Sequence, residues 1–306
     1  MSTVSEQPRV HDLEGPRPKV PVGTLVSDIL VLVKARLTLM VIVTTLIGFL
    51  FGWHGPVDAW LLFHTLFGTF LAAAGASVLN QVFEAEYDAL MRRTKNRPIP
   101  MHRISRDNGL FLGITASAVG VVYLSITTNI LAGLLAALTI GTYVFVYTPL
   151  KRVTTLNTIV GAVPGALPPV IGWAAARGDT DFECWILFTI LFLWQMPHFL
   201  AIAWLYREDY RKAGFCMLSG RDTDCRQTGR LALLYSMGLI SVSLLPFVLR
   251  LTSFWYVPVA LLTGVAFSIA AFVFALSGTE RAARRLFLAS IIYLPVTLGC
   301  LVLARL

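Results

Sequence analysis

NGLFLGITASAVGVVYLSITTNILAGLLAALTIGTYVFVYTPL, residues 108–150, runs from Asp107 to Lys151 without one Asp, Glu, Lys or Arg. A helix needs about 20 apolar residues to cross a hydrocarbon core, so this stretch holds two crossings in a row. Further charge-free gaps separate Arg152 from Arg177, Glu183 from Arg207, Arg230 from Arg250, Arg250 from Glu280, and Arg285 from Arg305. With two spans ahead of Asp107, the count is nine: roughly 28–53, 60–83, 108–126, 129–149, 154–175, 184–206, 230–249, 254–277 and 286–305. Charged residues make up 14% of the chain and hydrophobic ones 56%, whereas a soluble domain carries about 25% charge. The pattern predicts an all-α polytopic membrane protein, a bundle of nine transmembrane helices.

The net charge of +8 raises the question of nucleic acid. The basic residues lie in short loops between spans, which reads as a topology signal and excludes that partner class. Assigned to alternate sides, 22 of the 25 Lys and Arg fall on the N-terminal side, and only Arg177, Arg250 and Arg305 fall opposite. Positive-inside asymmetry then places the N-terminus in the cytoplasm. Residues 1–27 are polar and proline-bearing, with neither the apolar core of a signal peptide nor the acid-poor make-up of a transit peptide. They predict a disordered cytoplasmic tail ahead of a membrane domain over 28–306, in a lipid bilayer that is most simply a bacterial inner membrane. Cys184, Cys216, Cys225 and Cys300 show no metal spacing and no disulfide framework.

The chemistry concentrates where span 2 ends, at Asn80-Gln81-Val82-Phe83-Glu84-Ala85-Glu86-Tyr87-Asp88, followed by Arg92-Arg93-Thr94-Lys95-Asn96-Arg97-Pro98. Asn80, Glu84 and Asp88 are spaced i, i+4, i+8, which stacks them on one helix face. Two carboxylates so placed repel, and a bridging divalent cation removes that cost. Hard oxygen ligands beside an anion are the surroundings Mg²⁺ prefers. The bases that follow suit a diphosphate leaving group through charge-assisted hydrogen bonds. The bland alternative is a solvated helix end with a basic loop, but ionisable groups near membrane depth mark function by default.

Asn-x3-Glu-x3-Asp, then Met91-x-Arg93-Thr94-x-x-Arg97-Pro98, resembles the first acidic motif of the UbiA-type intramembrane prenyltransferases. Glu in the middle position is typical of the protoheme farnesyltransferase branch. Two further blocks agree: Tyr147-Thr148-Pro149-Leu150-Lys151-Arg152 with Asn157, Gly161, Gly165, Pro168-Pro169 and Gly172-Trp173, and Trp194-Gln195-Met196-Pro197-His198-Phe199. The resemblance implies a nine-helix bundle with a cytoplasm-facing cavity, farnesyl diphosphate and protoheme IX as substrates, and Mg²⁺ as cofactor. It also implies a heme A synthase or a terminal oxidase assembly partner to receive the product. Residue by residue, Asn80, Glu84 and Asp88 would be catalytic, with Glu84 and Asp88 as metal ligands. Arg92, Lys95, Arg97, Lys151 and Arg152 would bind diphosphate. The family's second acidic motif is weakened here to Glu208-Asp209, of which Asp209 is the better metal candidate.

His198 lies deep in span 6, one residue after Pro197, which frees a helix hydrogen bond. It reads either as a hydrogen-bonded core histidine or as a heme contact, imidazole being an ordinary iron ligand. The small-residue run from Gly161 to Trp173 is either a packing seam or room for a lipid tail or porphyrin. Two rival functions stay open: prenylation of an aromatic acid in quinone synthesis, and secondary transport. Transporters place their charges near the midplane rather than at a membrane edge beside a basic loop.

Overall fold

A computed structural model of the chain describes residues 22–306. Its helices run in the order α1 (Val22–Leu32), α2 (Ala35–Gly52), α3 (Ala59–Leu90), α4 (Arg106–Thr127), α5 (Ile130–Gly141), a π-helical turn (Thr142–Tyr147) and α6 (Thr148–Leu150). There follow α7 (Asn157–Ala166), α8 (Pro168–Arg177), α9 (Phe182–Leu205), α10 (Arg207–Lys212), α11 (Leu218–Arg221), α12 (Arg226–Val248), α13 (Tyr256–Ser277) and α14 (Glu280–Leu303). Nine continuous helical segments among the described residues are long and apolar enough to cross a membrane, with α5 to α6 counting as one and α7 to α8 as another. Helices satisfy every backbone group internally, which is why a chain this apolar is built from nothing else.

Two boundaries correct the sequence reading. Residues 1–21 of the expected tail lie outside the described residues, but Val22 already opens α1, so residues 22–27 are helical. The expected first span, 28–53, is two helices. The chain turns between them at Lys34, a left-handed residue (φ 49°, ψ 55°), and the membrane span is α2 alone. Leu25, Val26, Ile29 and Leu30 point outward from α1, while Asp28 turns inward and pairs with Arg103 at 2.8 Å. Gln81 Nε2 donates to the carbonyls of Val31 (3.0 Å) and Leu32 (2.6 Å), supplying partners that a helix end lacks.

Helix starts carry their own caps: Asp58, Ser105, Asn129 and Thr279 side chains accept from backbone N–H groups one turn on. In lipid the helices gain little from apolar burial alone, and close approach does the work. A Cβ on Gly172 would lie 2.0 Å from the Thr45 carbonyl oxygen, so the α8 backbone touches α2 directly. Gly161 and Gly165 likewise abut Tyr147 and Gln195, which makes the Gly161–Trp173 run a packing seam.

Candidate functional site

The 32-residue α3 carries Asn80, Glu84 and Asp88 up one face to the end of the bundle, and all three are buried, at 0%, 5% and 1% exposure. Each has a partner from another segment. Lys151, just past α6, donates to Glu84 Oε1 at 2.6 Å, and Arg97, in the loop after α3, donates to Asp88 Oδ2 at 2.5 Å. Asn80 accepts from Lys34 Nζ at 2.5 Å and donates to Thr148 Oγ1 at 3.0 Å. The mouth is thus closed by its own counter-ions.

Lys34 is the residue the sequence reading passed over as a topology signal. The left-handed turn aims it at Asn80 and at the Tyr143 hydroxyl, 3.1 Å away. Burial, with the positive charge of Arg97, outweighs the pull of Glu84 and lowers its ammonium to about 7. Lys151 goes the other way. Burial lowers it, but Glu84, Tyr147 and Tyr143 together outweigh burial and hold it above the ordinary lysine range. The π turn adds two aromatic side chains the sequence did not single out. Tyr143 and Tyr147 stack at 5.7 Å, and Lys151 Nζ stands 4.5 Å over the Tyr147 ring. Such turns commonly occur at functional sites, and the only sequence signal was two tyrosines four apart ahead of Thr148-Pro149.

The remaining expected residues divide. Arg152 is exposed and donates to the Tyr87 hydroxyl at 2.6 Å, away from the carboxylates, and Arg92 and Lys95 are exposed on the loop after α3. Asp209 is half-buried on α10. Among the described residues no three His, Cys, Asp or Glu side chains gather at metal-binding separation, so Asp209 does not complete a triad with Glu84 and Asp88. The two long loops do meet: Met91, Ala213, Phe215 and Met217 form a small apolar cluster, and Arg93 lies 5.3 Å over the Tyr206 ring. His198 Nδ1 bonds Ser290 Oγ of α14 at 2.7 Å, between the rings of Trp194 and Phe287, and no partner faces its Nε2 among the described residues.

Two carboxylates suit a hard divalent cation, and Asp88 Oδ1 is buried with no hydrogen-bond partner. An oxygen left so carries a desolvation cost of about 1–3 kcal/mol, which a metal ion would remove. The residues present therefore fit Mg²⁺, with Glu84 and Asp88 as its ligands.

A buried acidic ridge with a cationic collar at one end of an apolar bundle is the arrangement of an intramembrane enzyme for a diphosphate ester. The pattern of the UbiA prenyltransferase family matches residues 41–292, and the chain belongs to that family. Within it, the chain is 42% identical over 287 residues to the protoheme IX farnesyltransferase of Solibacter usitatus, covering 91% of this chain and 98% of that one. In fold it is similar to a solved digeranylgeranylglyceryl phosphate synthase (TM-score 0.77, 17% identity, 91% and 98% coverage). It is also similar to a UbiA homolog from Archaeoglobus fulgidus bound to GPP and Mg²⁺ (TM-score 0.65, 14% identity, 90% and 99% coverage).

Proposed function

We propose that this chain transfers a farnesyl group from farnesyl diphosphate to a vinyl group of protoheme IX, giving heme O and diphosphate. The observation that carries the reading is the buried cluster of Glu84 and Asp88 with Lys151 and Arg97. Its carboxylates are held by cations that an incoming diphosphate would take over. The relatives' shared name supplies the acceptor.

Mg²⁺ held by Glu84 and Asp88 would neutralise charge building on the diphosphate as the allylic C–O bond breaks. Lys151 and Arg97 turn from the carboxylates to the leaving-group oxygens, and Lys34, nearly neutral at rest, takes up a proton to join them. Arg92, Lys95 and Arg152 gather the anion at the rim, and Asp209 reaches the same mouth from the second loop. The apolar bundle keeps water from the allylic cation, over which Tyr143 and Tyr147 present their faces. A vinyl carbon of protoheme attacks the cation, and water then adds at the neighbouring carbon with loss of one proton. His198 contacts the porphyrin through its open Nε2. The protein lies in the bacterial inner membrane with its N-terminus and the site in the cytoplasm, and its product passes to a heme A synthase or a terminal oxidase.

Expressing the chain in cells that hold protoheme and weighing the extracted hemes tests this. A species heavier by farnesyl plus water is expected, lost in Asp88→Asn and Glu84→Gln variants that still reach the membrane. Unmodified heme alone, or full product from Asp88→Asn, refutes the assignment.

A further inference from the structure

Only three basic residues fall on the face opposite the diphosphate cluster, and the fold brings all three to one cavity. Arg177 ends α8, Arg250 follows α12 and Arg305 follows α14, and together they line a space of about 120 Å³ with His54, Trp173 and Glu183. A random scatter of three topologically costly bases over that whole face has no reason to converge.

The cations are mostly unspent. Arg177 donates to Asp181 at 3.0 Å and to His54 Nδ1 at 2.7 Å. Arg305 donates to the Leu50 carbonyl, and neither Arg305 nor Arg250 has an acidic partner among the described residues. Burial and the neighbouring Arg177 together lower Arg305, the mark of a cation short of counter-charge. Glu183 is the one acidic lining residue. Trp173 supplies the second sign: it is 3% exposed and its indole N–H is buried with no acceptor. A donor in that state awaits an acceptor that the protein does not provide.

The site is built, not accidental. Arg250 is held in the left-handed region (φ 58°), a conformation that persists for a non-glycine residue only where its surroundings impose it. Here Leu251 donates to the Pro246 carbonyl, Leu306 donates to Leu251, and Ser253 donates to Ala304, pinning the segment after α14 against the turn. On the other side of Arg250 and Leu306 opens a larger groove of about 470 Å³, walled by Phe247, Val248 and Phe254.

We propose that this face binds an anionic phospholipid, its phosphodiester on Arg250, Arg305 and the Trp173 N–H, and one acyl chain along the Phe247–Phe254 groove. A polar, cationic cavity continuous with an apolar groove at a membrane edge fits an amphiphile with one negative head. A free anion would use the cavity and leave the groove without purpose.

The test uses the full chain, purified in detergent and titrated with dioleoyl phosphatidylglycerol or dioleoyl phosphatidylcholine under native mass spectrometry. The basic loops at the opposite end bind anionic lipid too, so the readout is the difference between wild type and Arg250→Gly. Glycine accepts the left-handed backbone, so this variant keeps the turn and removes only the guanidinium. One phosphatidylglycerol should be lost, its dissociation constant rising roughly tenfold, the worth of one charged hydrogen bond. Glu183→Gln should tighten the same lipid. Equal binding by wild type and Arg250→Gly, or no preference over phosphatidylcholine, overturns the proposal. So does displacement of that lipid by millimolar inorganic phosphate, which would make this a free-anion site.

Discussion

Replacing Lys151 by Met strands Glu84. The pair is 2.6 Å long with side chains only 11% and 7% exposed. At an effective dielectric of about 20 the gross attraction at that distance is about 6 kcal/mol. Desolvation of the two ions, several kcal/mol each, offsets most of it, so the intact pair adds little net stability. Breaking it is another matter. Lys151→Met leaves a buried carboxylate without its partner, at a cost of about 3–5 kcal/mol. Adding Glu84→Gln removes the stranded charge, so the double variant should return to within ~1 kcal/mol of wild type while making no prenylated heme. Unfolding by SDS titration in mixed micelles, followed by tryptophan fluorescence, gives the four corners of the cycle. A single variant that costs under ~1 kcal/mol, or a double variant no more stable than the single, refutes the buried-pair reasoning.

Diphosphate binding at about pH 8 should take up close to one proton, because Lys34 rests near 7 and the bound anion restores its charge. Uptake should fade below pH 6, where Lys34 is already charged, and above its ordinary 10.5. Calorimetry in buffers of different ionisation enthalpy reads it, and buffer-independent heats, or uptake kept in Lys34→Met, would count against the assignment. The same lowered value makes folding stability rise with pH between 7 and 10.5, since the unfolded chain holds the extra proton there. Gly172→Ala should cost about 1–3 kcal/mol or more by forcing α8 off α2, while Gly141→Ala, with nothing within 4 Å of the new methyl, should be neutral or better. Matching midpoints for the two would refute the seam. His198→Ala should purify with less heme, read from the heme absorbance per protein, and an unchanged spectrum removes His198 from the acceptor site.

The spans were legible because charge is so scarce that each gap can only be a crossing. The carboxylate face was legible because i, i+4, i+8 is a property of any helix. The chain's break at Lys34 was not, since the residues on either side are as apolar as a continuous span and the turn depends on Gln81, fifty positions away, meeting the end of α1. Nor could the sequence rank the bases. Arg97 and Arg92 lie in one run, yet only Arg97 folds back to Asp88, because that choice belongs to the loop's path. Lys151 and Arg152 are neighbours, and the helix end sends one to Glu84 and the other to Tyr87.

The π turn carries a consequence for how this chain tolerates insertion and deletion. Such a turn holds one residue more than an α-helix of the same rise. Cutting a single residue from Thr142–Tyr147 would let the segment relax to ordinary helix and ease its backbone. The same cut would swing everything after it by about 100°, one residue's worth of rotation. Lys151 would then leave Glu84 and Thr148 would leave Asn80. The wide turn is what sets the phase between two helices that share one charge pair.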